Sequence, residues 1–265
     1  MVRLVALDLD DTLLTTDKRI APEDREALKA CLEKGIHVVT ASGRFNKSQM
    51  GFIRKLDLGL EDKPHVGDGG GTIFDARRVI RKMGAFQPGQ YEAVLARTRA
   101  LDLPCYVTNG EKVYFDIPDQ PLRAIYARTQ EDQRSYMLGI DDLAEVAQPL
   151  KFVFAFQNPE EREKILGIRC PGTITFSAGR NLMEITSAHL NKGSGLKALV
   201  NYYGVSMEEV AAFGDSENDI PMLREAGLGL AVANAAEKVK ASADGVGEKT
   251  NDENGVAWLL EKYIL

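Results

Sequence analysis

Asp8-Leu9-Asp10-Asp11-Thr12-Leu13 sets two carboxylates two residues apart, directly after the short apolar run Val2 to Leu7. If that run is a buried strand, the turn at its end lets both side chains point at one site, and strand ends are where open α/β sheets bind ligands. Paired carboxylates are hard oxygen donors suited to Mg2+, and one of them can attack phosphorus to form an aspartyl-phosphate. The plainer reading is a solvated acidic turn. Gly214-Asp215-Ser216-Glu217-Asn218-Asp219 follows a second apolar run, Val210 to Phe213, and offers further oxygen ligands that would complete a magnesium site with Asp8 and Asp10. Alone, it reads equally well as the acidic first turn of a helix, where carboxylates favour the dipole.

Carboxylates gathered in this way repel the phosphate they would act on, so such a site needs cations and hydrogen-bond donors besides a metal. Lys192, in Asn191-Lys192-Gly193, and Ser42, in Thr40-Ala41-Ser42-Gly43-Arg44, can supply them. Each is weak by itself; what carries weight is their order along the chain.

The elements that must hold these residues read as two kinds of fold. Val2 to Leu7 and Ile36 to Thr40 suit strands buried in a parallel sheet, with a helix between them that Pro22 opens and Gly35 stops. The last third repeats the alternation: a helix from about Lys192 to Tyr203, strand Val210 to Phe213, a helix near Asp219 to Ala226, strand Leu228 to Val232, then two more helices. This is a doubly wound, Rossmann-like α/β core. The middle differs. Cys105 to Thr108 and Lys112 to Phe115 flank Asn109-Gly110, a two-residue hairpin signal, and Lys151 to Phe156 and Leu182 to Thr186 read as strands. Stretches around Tyr91 to Leu101, Leu122 to Arg128 and Glu160 to Leu166 read as helices. The expectation is an α+β insert at residues 85–186 within a core made of residues 1–84 and 187–265.

Asp8-x-Asp10-x-Thr12, then Ser42 before Gly-Arg, then Lys192-Gly, then Gly-Asp215-x-x-Asn218-Asp219 resembles the four ordered motifs of the haloacid dehalogenase superfamily. The insert between the second and third motifs resembles the cap of the Cof-like phosphatases. The likeness extends through Val232-Ala233-Asn234-Ala235 and Asn254-Gly255-Val256-Ala257. It implies a Mg2+-dependent phosphatase acting on small phosphomonoesters, sugar phosphates or phosphorylated cofactors, through an aspartyl-phosphate. By the same resemblance Asp8 is the nucleophile. Asp10 is the acid that protonates the leaving oxygen and then the base that activates water. Ser42 and Lys192 bind the phosphate, and Asn218 helps position phosphate or metal waters. Asp8, the Asp10 carbonyl and Asp215 bind Mg2+, with Asp219 acting through water or as an orienting group. For Asp10 to donate a proton near neutral pH, its pKa should be raised by neighbouring carboxylates and by water exclusion under the cap.

Where such proteins commonly carry Asn-Gly-Ala after the third strand, this chain has Gly69-Gly70-Gly71 preceded by Asp68, and the glycines read as a tight turn. Arg44 is a candidate contact to substrate or cap, and Arg180 and Asn181 are candidate contacts from the cap. His37, His65 and His189 lack metal-ligand spacing and read as structural.

Composition narrows the partners. The 265 residues suffice for about two domains, and 33 basic against 39 acidic side chains give a formal charge of −6, which disfavours a nucleic-acid footprint. Three widely spaced cysteines read as buried thiols of a reducing compartment, and no apolar run reaches membrane-span length, so the expected location is the cytoplasm. Oligomeric state is not legible. The same motif order fits a phosphomutase. A phosphoacceptor signalling domain also combines acidic residues, an acceptor Asp and a Lys, but within about 120 residues of one domain, whereas Lys192 lies beyond a domain-sized insert.

Overall fold

The computed structural model describes residues 1–116, 137–178 and 181–265. The expected helix around Leu122 to Arg128 lies outside them. Strand β1 (Leu4–Leu7) is buried at every position, as an unbroken apolar run in a sheet covered on both faces requires. Pro22 sits in the first turn of α1 (Pro22–Glu33), where a missing N–H is tolerated, and Ala27, Leu28 and Cys31 form its buried face. β2 (His37–Thr40) pairs parallel to β1. Helix α2 (Asn46–Leu56) is not foreseen from the sequence, because its buried face includes Asn46, Ser48 and Gln49 beside the apolar positions and so blurs the period. β3 (His65–Gly67), β4 (Thr72–Phe74) and β5 (Val79–Lys82) form a small antiparallel sheet, joined to the end of β2 by a bridge between Ala41 and Val66.

Next come α3 (Gln90–Ala100), β6 (Tyr106–Thr108), β7 (Val113–Asp116), β8 (Met137–Ile140), β9 (Lys151–Ala155), α4 (Pro159–Leu166), β10 (Thr173–Ser177) and β11 (Leu182–Ser187). The strands build a separate six-stranded sheet, ordered β10-β11-β9-β6-β7-β8, with only the β7–β8 pair parallel. It has its own apolar cluster, in which Tyr91 stacks on Phe152 at 4.9 Å. The hairpin turn departs from the expected Asn109-Gly110 centre. Thr108 pairs with Val113, Gly110 takes φ 81, and the Asn109 side chain accepts from the amides of Glu111 and Lys112. The turn is therefore centred one residue later, with the Asn side chain closing the loop as an Asx turn does.

The chain then returns through α5 (Lys192–Tyr203), β12 (Val210–Gly214), α6 (Ile220–Glu225), β13 (Leu228–Ala231), α7 (Glu237–Lys240), the two-residue strand β14 (Gly245–Val246) and α8 (Gly255–Tyr263). The resulting sheet is wholly parallel, in the order β14-β13-β12-β1-β2. Successive connections run outward on both sides of β1, so its carboxyl end, flanked by those of β12 and β2, is the switch point where such sheets open a crevice. Cys31, Cys105 and Cys170 are buried thiols, as expected. Among the described residues no helix is long and apolar enough to cross a membrane.

His65 illustrates how a polar group is made structural. It is fully buried on β3, its Nδ1 accepts from the Thr40 amide at 3.0 Å, and its Nε2 lies 2.9 Å from the Leu60 carbonyl. Nε2 must therefore carry the proton of a neutral ring. Burial depresses its pKa to about 4, against the weaker pull of the Leu60 carbonyl. A neutral buried histidine contributes its stability fully above the unfolded-state value of about 6.5 and loses it as pH falls towards the folded value. Chemical denaturation should therefore show the His65-linked part of the stability falling by about 2 kcal/mol between pH 7 and pH 5. His65→Gln should be less stable at pH 7 and lack that part of the pH dependence.

Candidate active site

Asp8 leaves β1 with its amide bonded to the Phe213 carbonyl of β12 at 3.0 Å, which aims its carboxylate into the crevice. Lys192 meets it there from the first turn of α5. Asn191 caps that helix, its side chain accepting from the Ser194 amide while the Ser194 hydroxyl serves the Asn191 backbone. Lys192 Nζ lies 2.6 Å from Asp8 Oδ1 and 2.6 Å from Asp219 Oδ1, and it is only 2% exposed. The other Asp219 oxygen accepts from the amides of Asp215 and Ser216 at 3.0 and 2.9 Å. Asp215 in turn accepts from the hydroxyls of Thr12 and Ser216, both at 2.9 Å. Gly214 is needed here, since a Cβ would lie 2.5 Å from the Asp219 Cβ.

Oxygen atoms of Asp8, Asp215 and Asp219 lie within 4.8 Å of one another, and all three residues are buried. Burial pushes Asp8 well above the usual carboxylate range; Lys192 opposes this, while Asp219, Asp215 and Asp10 add to it. Asp215 is pushed up to about 7, by burial first and by Asp219 next. Three buried carboxylates sharing one ammonium carry more negative charge than the pocket can solvate, and a set of hard oxygen donors of this kind fits a divalent cation.

Asp10 has a different environment. Arg44 grips it in a two-pronged pair, Nε to Oδ2 at 2.6 Å and Nη2 to Oδ1 at 2.7 Å, and Lys18 Nζ adds a contact at 3.0 Å. Arg44 is itself anchored by a bond to Ser48 Oγ at 3.1 Å and lies 4.5 Å over the Phe52 ring. Burial alone would raise the Asp10 pKa, but Arg44 and then Lys18 bring it down to about 2. The expectation of a raised pKa is therefore corrected: a fork of two N–H donors, one on each carboxylate oxygen, outweighs the neighbouring acids. Arg44, expected at the substrate or cap, pairs with Asp10 and also lines the cavity.

Ser42, Arg44, Asn218 and Lys192 line one small cavity with Asp8 and Asp10, and Asn218 presents a buried Oδ1 with no hydrogen-bond partner among the described residues. Tyr106, Thr108, Lys151, Leu182 and Glu184 of the six-stranded sheet close it from above. Its volume is about 90 Å³, room for a phosphoryl-sized group. Arg180 lies outside the described residues, and Asn181 is exposed, its carbonyl accepting from the Phe156 amide.

Sequence reasoning missed Lys151 and Glu184, whose Nζ and Oε1 meet at 2.7 Å beneath the cap sheet. A lone lysine and a lone glutamate in alternating strands carry no local signal; only their burial marks them. Asp68 was noted only as the residue before the glycines, yet its carboxylate is fully buried, 3.2 Å from Lys151 Nζ, and accepts from the Thr108 hydroxyl. The glycines do serve a turn, with Gly69 at φ 71 and Gly70 at φ 105, and a Cβ on Gly70 would collide with the Asn191 carbonyl. The turn thus lets the chain pass against the residue that caps α5.

The family model for haloacid dehalogenase-like hydrolases matches residues 5–260. The pyridoxal phosphate phosphatase YbhA of Escherichia coli is 32% identical over 281 residues, covering 99% of both chains. The chloroplastic endoribonuclease YBEY of Arabidopsis thaliana is 29% identical over 97% of this chain, which spans 45% of that protein's length. A solved haloacid dehalogenase-like hydrolase from B. subtilis superposes with a TM-score of 0.83 at 25% identity, over 100% of each chain. With the family model matched almost end to end and the four motifs drawn into one crevice, the chain belongs to the haloacid dehalogenase-like hydrolases.

Proposed function

We propose that this protein is a Mg2+-dependent phosphomonoester hydrolase that works through an aspartyl-phosphate formed on Asp8. The observation that carries this reading is the buried cluster of Asp8, Lys192, Asp215 and Asp219, in which Asp8 lines a phosphoryl-sized cavity and its carboxylate, with those of Asp215 and Asp219, offers oxygens close enough together for a metal. In the proposed first step, Asp8 attacks phosphorus in line, the bond to the ester oxygen breaks, and Ser42 and Lys192 hold the non-bridging oxygens, with Asn218 beside them. Mg2+, held by Asp8, the Asp10 carbonyl and Asp215 with Asp219 behind, would supply charge neutralisation on the transferring group. Asp10 protonates the departing oxygen and later activates the water that releases phosphate. Because Arg44 holds Asp10 ionised, that proton step requires the pair to open.

Residues 85–186 serve in this reading as the cap that selects the substrate, since Tyr106, Thr108, Lys151, Leu182 and Glu184 cover the cavity. The name of the E. coli relative supports a phosphorylated cofactor such as pyridoxal phosphate as a substrate class, beside sugar phosphates. The charge of −6 argues against nucleic acid, and buried thiols support a reducing, cytoplasmic setting. Phosphate release from a broad panel of metabolites, with and without Mg2+, is the direct test. Absence of release from every ester would refute the reading.

Asp8→Asn is nearly isosteric and removes only the nucleophile's charge, so it should fold normally, form no phosphoenzyme and lose at least about a thousandfold in kcat. Near-normal turnover of this variant would exclude Asp8 as the nucleophile.

Treatment with EDTA should abolish turnover, Mg2+ should restore it, and Ca2+ should restore it poorly. Calcium accepts more oxygens at longer distances, which would draw Asp8 into bidentate contact and away from in-line attack. Full activity after chelation would show that the carboxylate cluster does not act through a metal.

Asp10→Asn should slow phosphorylation by esters of poor leaving groups far more than by p-nitrophenyl phosphate, since nitrophenolate departs without a proton. Rapid-quench measurement of the phosphorylating step separates this from slow hydrolysis of the intermediate. Equal loss on both esters would assign Asp10 to geometry rather than proton transfer.

A further inference from the structure

The loop Ser42-Gly43-Arg44 has three successive carbonyls, each held from outside. The Ser42 carbonyl accepts from the Gly69 amide at 3.0 Å, and the Arg44 carbonyl accepts from the Asp68 amide at 3.0 Å. Both donors are backbone groups of the loop that follows β3. The middle carbonyl, that of Gly43, accepts instead from Lys151 Nζ at 2.7 Å, and Lys151 belongs to β9 of the six-stranded sheet. Within the loop, the Arg44 amide donates to the Ser42 hydroxyl at 3.1 Å, so a shift of the Gly43 peptide moves the hydroxyl that faces the cavity.

Lys151 is 2% exposed, and its ammonium is compensated by Glu184 Oε1 at 2.7 Å and Asp68 Oδ1 at 3.2 Å. Asp68 comes from the parallel-sheet side and Glu184 from the cap sheet, and Thr108, also on the cap sheet, donates to Asp68 at 2.7 Å. A fully buried carboxylate on one side is therefore bracketed by two residues of the other. Lifting the cap would strip Asp68 of both and leave the Gly43 carbonyl without its donor. The charge–charge contacts give this clasp its energy; the bond to Gly43 gives it a readout at the phosphate loop.

We propose that Lys151 is a positioning residue through which a seated cap sets the Ser42-Gly43-Arg44 loop for phosphate, so that the site gains its full phosphate affinity only when the cap is down. The inference rests on the reading of Ser42 as a phosphate ligand. It ties phosphate recognition to water exclusion, because the same movement that encloses the cavity also orients the Ser42 hydroxyl. It concerns binding common to ground and transition states, so it acts on KM more than on kcat.

Lys151→Met removes the donor but leaves Asp68 and Glu184 buried together, which can prevent folding. The pair Lys151→Met with Glu184→Gln keeps the net charge of the cluster unchanged and is compared with Glu184→Gln alone. Steady-state hydrolysis of p-nitrophenyl phosphate and calorimetric titration with orthophosphate, both in Mg2+, are the measurements. Relative to Glu184→Gln, the double variant should raise KM and the orthophosphate Kd together by about fivefold to tenfold, with kcat within about twofold. In a Ser42→Ala background the same Lys151 change should add less than about twofold, because residues acting through one loop are not additive. A lower unfolding temperature with unchanged KM and Kd would overturn the inference and reduce Lys151 to a structural clip. Independent, multiplicative effects of Lys151 and Ser42 would overturn it too. If the protein hydrolysed no ester yet bound orthophosphate with this Lys151 dependence, the hydrolase reading would fall and the inference would stand. If it neither bound orthophosphate nor hydrolysed an ester, both would fall.

Discussion

One ammonium group, Lys192 Nζ, stands between the carboxylates of Asp8 and Asp219 at 2.6 Å from each, and the rest of the crevice is arranged to keep it there. Buried carboxylates without a counter-charge would protonate or drive the site open. The first turn of α5 must therefore be pinned against the ends of β1 and β12, which lie far from it in sequence. The Asn191 cap, the absence of a side chain at Gly70 and the close approach of Gly214 to Asp219 all follow from that demand. Each is a local choice whose reason lies in a contact far along the chain.

Around this centre the charges are partitioned rather than pooled. Asp8 and Asp10 are two residues apart, yet burial among acids pushes Asp8 up while Arg44 and Lys18 hold Asp10 down to about 2. Environments that drive two neighbouring carboxyls in opposite directions assign them different work. Arg44 does this while its amide and carbonyl take part in the loop that carries Ser42, so the group that controls Asp10 also helps to shape that loop.

A third ionic cluster, that of Lys151, Glu184 and Asp68, joins the two sheets. It is as deeply buried as the first, but its partners come from both sides of the cavity. An apolar contact in the same place would hold the cap without distinguishing a seated position from a slipped one. A lysine whose hydrogen bonds and ion pair must be satisfied together does distinguish them.

How much of this was legible in the chain depends on the range of the signal. Val2 to Leu7, Pro22, Gly35 and the alternation from Lys192 onward announced the parallel core, because short apolar runs and helix punctuation are local properties. Asp8, Asp10, Ser42, Lys192 and Asp215 were candidates before any fold was known, since their chemistry is written in residue type and order. Helix α2 escaped, because the polar side chains of Asn46 and Gln49 are buried by hydrogen bonds to the Gly110 carbonyl and to Thr40 and Val66, partners on other elements that a helical period does not reveal. The hairpin turn moved by one residue for a comparable reason: the Asn109 side chain accepted bonds that a backbone carbonyl was expected to take. The sequence by itself thus determined the core's winding and which residues could do chemistry. Only the tertiary structure decided that Asp10 is clamped by Arg44 and that Lys151, Glu184 and Asp68 belong together, because ionisation and burial are set by groups brought within about 4 Å across long stretches of chain.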